Sequence, residues 1–198
     1  MKLILVRHGQ TLGNVKKIIQ GQQHGKLSAL GKEQAKKVGL RLKHEQIDAI
    51  YTSDLQRAKD TAQEIIKYHP NATVVYSPLL RERHYGEFES KAYGSLSEYV
   101  NKNKLCHWHF VPKGGESNYQ LHQRILRFFT SLLKKHKQQT VVVVSHGNIL
   151  TLLLIHLFKK QLHDYREMHP DNTAVTILEF KGKTMQVHVF NCTAHLQR

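Results

Sequence analysis

Leu3-Ile4-Leu5-Val6-Arg7-His8-Gly9 and Val141-Val142-Val143-Val144-Ser145-His146-Gly147 are the two stretches whose reading decides the fold. Each is a short, uncharged, aliphatic run that ends on a His-Gly pair. Apolar residues without alternation read as a strand buried on both faces, the pattern of a parallel sheet covered by helices. In such sheets ligands bind beyond the carboxyl ends of the strands. Both histidines are therefore expected at one end of one sheet, although 137 residues lie between them. The glycine after each histidine is expected to let the backbone turn sharply and approach a ligand. One His-Gly pair among 15 histidines would carry little weight. Two at matching places, one preceded by Arg7, point to chemistry on an anion.

Outward from these strands, Gln10 to Gly31 is polar and Gly-punctuated, a loop carrying Asn14, Gln20 and Gly21. Ala35, Val38 and Leu42 recur at helical spacing, which predicts an amphipathic helix from Gly31 to about His44. Ile47 to Tyr51 reads as a second strand. Thr52-Ser53-Asp54 supplies N-cap candidates for a helix to about Tyr68 that carries Arg57 in its first turn. Thr73 to Tyr76 reads as a third strand. Residues 78–115 hold several glycines and aromatics but no sustained period. They are expected to leave the core as a lid, with a short helix near Leu96 to Asn101. Glu116-Ser117 opens a helix with Leu121, Ile125, Phe128, Phe129 and Leu132 on one face. Asn148 to Phe158 reads as another, largely apolar one that starts at the His146-Gly147 turn. Thr173 to Phe180 and Met185 to Phe190 read as strands joined at Lys181-Gly182-Lys183, an antiparallel hairpin at the sheet edge.

Composition bounds the function. At 198 residues the chain is expected to form one domain with a core of its own. No apolar run approaches the ~20 residues that span a bilayer, and the N-terminal run is too short for a secretory signal, so the expected compartment is the cytoplasm. Cys106 and Cys192 are far apart, and no His or Cys cluster has metal-ligand spacing, so neither a disulfide framework nor a metal is expected. His24, His84, His107, His109, His163 and His169 are taken as surface or packing residues. The formal net charge of +15, from 30 Lys and Arg against 15 Asp and Glu, favours anionic partners. With no Arg-rich arm or zinc finger, a solvated basic surface is the simpler reading than a nucleic-acid footprint.

Strand, turn, then a residue fit for phosphate chemistry recurs with one polarity: Arg7 and His8 after the first strand, Arg57 after the second, Glu82 after Leu79-Leu80 and His146 after the valines, the residue types that phosphoryl transfer without a metal requires. Guanidinium groups grip phosphate oxygens two-pronged. A neutral imidazole can attack phosphorus. A carboxylic acid can protonate the leaving oxygen, for a factor of ~10²–10⁴. A helix starting just after Gly147 would add backbone donors toward the anion.

In the same order along the chain stand Arg7-His8-Gly9-Gln10-Thr11 with Asn14 and Gln20-Gly21, then Leu27-Ser28 with Gly31 and Gln34-Ala35. Ser53-Asp54-Leu55 with Arg57-Ala58 and Thr61-Ala62 comes next, then Leu80-Arg81-Glu82 with Gly86-Glu87-Phe88-Glu89, Gly115-Glu116-Ser117 and Ser145-His146-Gly147. Together they resemble the histidine phosphatase superfamily, in its phosphoglycerate mutase-like branch. The tail Asn191-x-Thr193-Ala194-His195-Leu196 is similar to that of small phosphatases of this branch. The resemblance implies a three-layer α/β/α sandwich with a mostly parallel central sheet. It implies His8 as the phosphorylated nucleophile, Arg7, Arg57 and His146 as the rest of the phosphate pocket, and Glu82 as proton donor. Asn14, Gln20, Gly21 and Gly147 would line the substrate, a small phosphomonoester, and no cofactor is implied.

Both phosphatases and mutases belong to this branch. The short lid, which lacks the paired arginines typical of mutase lids, favours a phosphatase, whereas Glu82-Arg83-His84-Tyr85-Gly86 looks more like the mutase form of its block. Gln10, His24 and Cys192 depart from residues common in small phosphatases. The excess positive charge motivates one reading of another class, a catalytically silent polyanion binder. Retention of all five chemical positions speaks against it.

Overall fold

The computed structural model describes residues 1–182 and 184–197. In chain order the elements are β1 (Lys2–Arg7), α1 (Leu12–Val15), α2 (Ala29–Leu42), β2 (Ala49–Ser53), α3 (Gln56–Ile66), β3 (Thr73–Ser77) and α4 (Ser95–Lys102). Then come α5 (Asn118–Lys135), β4 (Thr140–Ser145), α6 (Gly147–Leu157), α7 (Tyr165–Met168), β5 (Val175–Lys181) and β6 (Thr184–Cys192). They build an α/β fold around one six-stranded sheet in the order β3-β2-β4-β1-β5-β6. The first four strands run parallel and β5 and β6 complete the sheet antiparallel, so the sheet is mixed and mostly parallel.

The aliphatic runs are buried on both faces, as their lack of alternation requires. Leu3, Leu5, Val141 and Val143 pack with Leu121, Ile125 and Phe128 of α5 and Ile149 and Leu153 of α6. Ile4, Val6, Val142 and Val144 point the other way, onto Val38 and Leu42 of α2 and Ala58, Ala62 and Ile65 of α3. Each fully buried aliphatic side chain contributes roughly 1.5–3 kcal/mol, so the strands cannot slip without exposing one face. The chain leaves β1 toward α2 on one face and leaves β4 into α6 on the other. The segments beyond these neighbouring strands diverge, and a crevice opens between them.

Within residues 78–115, Phe88, Leu96 and Val100, with Tyr85 and Phe110 against them, form a small cluster apart from the main core, and Ile19 of the loop after β1 packs into it. The segment is tied to that loop by Ile19 N–H to Lys91 O (2.8 Å) and Tyr93 N–H to Lys17 O (2.8 Å).

Several local expectations need correcting. The second strand starts at Ala49, not Ile47, and runs through Ser53. Ser53 and Thr52 thus belong to the strand, and α3 is capped at Leu55 without a side-chain bond, so Thr52-Ser53-Asp54 is not its N-cap. The first long helix begins earlier than Gly31 because Ser28 accepts the Gly31 N–H. Leu79-Leu80 before Glu82 is a 3-10 turn, not a strand. Gly182 lies in the left-handed region (φ +59°), suited to the expected hairpin turn, whereas Lys183 lies outside the described residues. No helix among the described residues is long and apolar enough to cross a membrane.

Candidate active site

Parallel pairing sets Arg7 beside Ser145, and His8 N–H donates to Ser145 O (2.9 Å). The next residue on each chain is therefore a histidine at the same sheet end, and the His8 and His146 rings meet with centroids 5.1 Å apart. Arg57 reaches them from the first turn of α3. Its guanidinium donates from Nε to His146 Nδ1 (3.1 Å), from Nη1 to Gln23 O (2.8 Å) and from Nη2 to Gly21 O (2.7 Å). Glu82 arrives because the preceding backbone is clamped. Arg124 of α5 donates to the carbonyls of Leu79 and Arg81 (both 2.8 Å), and Ser145 Oγ donates to Leu80 O (2.7 Å). Arg7, His8, Asn14, Gln20, Gly21, Arg57, Glu82 and Gly147 all line one cavity of about 760 Å³. This size suits a small ligand. His146 is fully buried at the edge of this cavity, its ring against that of His8.

The hydrogen bonds assign each histidine a tautomer. His8 Nδ1 lies 2.7 Å from Gly9 O, which can only accept, so Nδ1 carries the proton and Nε2 keeps its lone pair. His146 Nδ1 accepts from Arg57, so its proton sits on Nε2, a buried donor with no partner among the described residues. One ring offers a nucleophilic nitrogen and the other an N–H. Both pKa values lie well below the ordinary 6.5, chiefly because burial penalises imidazolium and then because Arg57 is close. Desolvation contributes more to this than the positive charge nearby.

Glu82 Oε1 accepts from Arg83 N–H (2.7 Å) and Oε2 from Asn148 N–H (3.1 Å), which fixes the carboxylate at the cavity wall. The Asn148 donor comes from the first turn of α6. That helix start therefore spends one of its free N–H groups on Glu82 rather than offering all of them to an anion. Asn14 completes a capping box with Thr11 and passes its amide N–H to Tyr93 Oη (2.9 Å). Gly21, at φ +53°, gives its carbonyl to Arg57, and a side chain there would strike the Glu89 carboxylate. Neither Gly9 nor Gly147 has positive φ, so no left-handed backbone requires a glycine at either place. Gly147 is required by close approach: a Cβ would sit 2.5 Å from the His169 ring.

His169 was expected at the surface or in packing. It instead hydrogen-bonds Arg7, and only the pairing of β5 with β1 brings it there. Arg83, Tyr85 and Asn148 also line the cavity. Asn148 follows the second His-Gly pair directly, a position that sequence reading could have flagged. Among the described residues no group of three or more His, Cys, Asp or Glu is disposed to hold a metal.

The buried neutral histidines predict acid sensitivity. Unfolded imidazoles titrate near 6.5, while His8 and His146 titrate well below it and His169 and His195 near about 4. Between those values the unfolded chain binds more protons, so stability is complete above about 6.5 and is lost as pH falls toward 4. Urea midpoints should decline from pH 7 to pH 5, with proton uptake on unfolding. A flat midpoint would contradict the burial of neutral imidazoles.

A family model described as "Histidine phosphatase superfamily (branch 1)" matches residues 3–193. The chain is 38% identical over 168 residues to a metal-independent phosphoserine phosphatase of Arabidopsis thaliana, covering 79% of this chain and 68% of the relative. It is 30% identical over 189 residues to a 2,3-bisphosphoglycerate-dependent phosphoglycerate mutase of Cytophaga hutchinsonii, covering 91% and 88%. Among solved structures, Bacillus stearothermophilus YhfR superposes with a TM-score of 0.88 at 30% identity, covering 98% of both chains.

Proposed function

This chain belongs to the histidine phosphatase superfamily, branch 1, and from that membership we propose that it hydrolyses small phosphomonoesters through a phosphohistidine on His8. The observation that carries the reading is the complementary tautomer pair, a free lone pair on His8 Nε2 beside a His146 N–H without a partner among the described residues. His8 Nε2 attacks phosphorus in line, the ester P–O bond breaks, and the departing oxygen takes a proton from the Glu82 carboxyl. The positive charge that develops on the His8 ring is met by Gly9 O at Nδ1–H. Arg7, Arg57 and His146 hold the phosphoryl oxygens, where donors fixed in advance lower the barrier most. Water then attacks the phosphohistidine and passes its proton to Glu82. The P–N bond breaks with its electron pair returning to Nε2, and phosphate leaves.

Glu82→Gln tests the acid role. It should slow phosphorylation by poor leaving groups ~10²-fold or more and spare an ester whose leaving group departs without a proton. Equal loss with both esters would remove Glu82 from that role.

A second reading, phosphoryl transfer of the mutase type, draws on Arg83. This guanidinium is buried in the cavity wall and bonded to Asn118 Oδ1 and the carbonyls of Glu116 and Phe110, with no carboxylate among the described residues hydrogen-bonded to it. A substrate carrying a second anionic group would suit it. Against mutase chemistry, the lid lysines Lys91, Lys102, Lys104 and Lys113 do not line the cavity, so the lid brings no lysine to recapture a released phosphate. Released phosphate measured beside isomerised product separates the two. Salt-dependent retention on nucleic acid without turnover would instead favour the polyanion binder.

A further inference from the structure

Arg7 is held in an unusual way for a cation in an anion site. Among the described residues its hydrogen bonds come from Nη1 alone, to His169 Nε2 (3.2 Å) and Pro170 O (2.7 Å), while Nε is buried without a partner there. His169 Nδ1 lies 2.9 Å from Thr151 Oγ1, and Thr151 Oγ1 donates to Gly147 O (2.7 Å). The protons can be placed in one consistent way. The Thr151 hydroxyl hydrogen goes to the carbonyl, so Oγ1 accepts from His169 Nδ1–H, which leaves His169 Nε2 as the acceptor for Arg7. The ring is boxed in by Tyr165, stacked at 5.6 Å, and by Gly147, where no side chain would fit.

The same segment grips the nucleophile's backbone. Asn172 Nδ2 donates to His8 O (2.8 Å), and Thr173 N–H donates to Arg7 O (3.0 Å) from a left-handed backbone (φ +57°). A β-branched residue rarely adopts that conformation, which persists only where surroundings over-determine it.

We propose that His169 is a positioning residue, an uncharged acceptor that orients Arg7 so that Nε and the remaining guanidinium N–H groups face the phosphate. The inference rests on the phosphatase reading of the site. A carboxylate in this place would bind Arg7 more tightly, but it would cancel the charge on which phosphate binding depends and repel a dianion. A neutral imidazole and a carbonyl fix the geometry and leave the charge intact. Burial and the neighbouring Arg7 hold His169 neutral, with its pKa pushed down to about 4.

The test is titration of the full chain with inorganic phosphate. His169→Ala should weaken phosphate binding roughly ten- to hundredfold, the range for a lost hydrogen bond to a charged group. His169→Gln, whose amide oxygen can take the place of Nε2, should recover most of it. His169→Asn, too short to reach Arg7, should behave like Ala, and this contrast holds even if the Ala variant folds poorly. In an Arg7→Ala background, His169→Ala should cost little more. Wild-type binding retained in His169→Ala, equal affinities for Gln and Asn, or an undiminished loss without Arg7 would each overturn the proposal and leave the phosphatase reading standing. A wild-type chain that binds no phosphate would overturn both.

Discussion

Replacing His8 with Ala is expected to lower turnover of a phosphomonoester by about 10⁴-fold or more, because the proposed nucleophile is gone. The fold should survive. His8 sits at the strand end, its backbone N–H still pairs with Ser145 O, and its side chain makes one hydrogen bond, to Gly9 O. Losing that bond and a buried ring costs on the order of 1–3 kcal/mol. Phosphate binding should weaken far less than turnover, since Arg7, Arg57 and His146 remain. Steady-state kinetics on a chromogenic ester, beside phosphate titration of the same protein, reads both. A His8→Ala enzyme within tenfold of wild type would mean that another group attacks phosphorus.

Arg57→Ala is expected to have the next largest effect, a fall in kcat/KM of roughly 10³-fold, the scale for losing a fixed donor at a developing charge. The change does more than remove a cation. It strips His146 Nδ1 of the N–H that sets its tautomer, and it leaves the carbonyls of Gly21 and Gln23 without their donor. Arg57 is 1% exposed, and the His146 ring and Gly21 are buried with it, so these two lose their partner inside the protein. Its charge also helps hold the two active-site histidines neutral, so their pKa values should rise toward the ordinary range, and the acid limb of the rate profile should move to higher pH. Lysine should not rescue, because one ammonium cannot reproduce three diverging bonds from a planar fork. An active Arg57→Lys with an unmoved acid limb would show that Arg57 serves as a generic positive charge.

Much of this molecule is legible in its sequence. Leu3 to Val6 and Val141 to Val144 lack alternation because both sheet faces are covered, so the strands, their neighbours and the two His-Gly ends could be read directly. Element ends were less legible. Ser28 caps α2 through its hydroxyl, a signal present in the sequence, whereas α3 starts at Leu55 with no side-chain cap to announce it. The sequence reads Gly147 as a turn that lets the backbone approach a ligand, but its glycine answers to a ring 22 positions later in the chain. His169 carries no local mark, and nothing near it in sequence resembles a site. Its importance arises only when β5 lies down beside β1, a long-range pairing that periodicity cannot reveal.

Everything proposed for the chemistry depends on a covalent bond between phosphorus and His8 Nε2. Wild-type protein mixed with a phosphomonoester and quenched in base during turnover should carry one phosphoryl group, on the peptide containing His8, labile to acid and absent from His8→Ala. Phosphorus NMR should place it on Nε2, because Nδ1 is bound to Gly9 O. A phosphoryl group that is acid-stable, attached to Nδ1, or still present in His8→Ala would contradict the account.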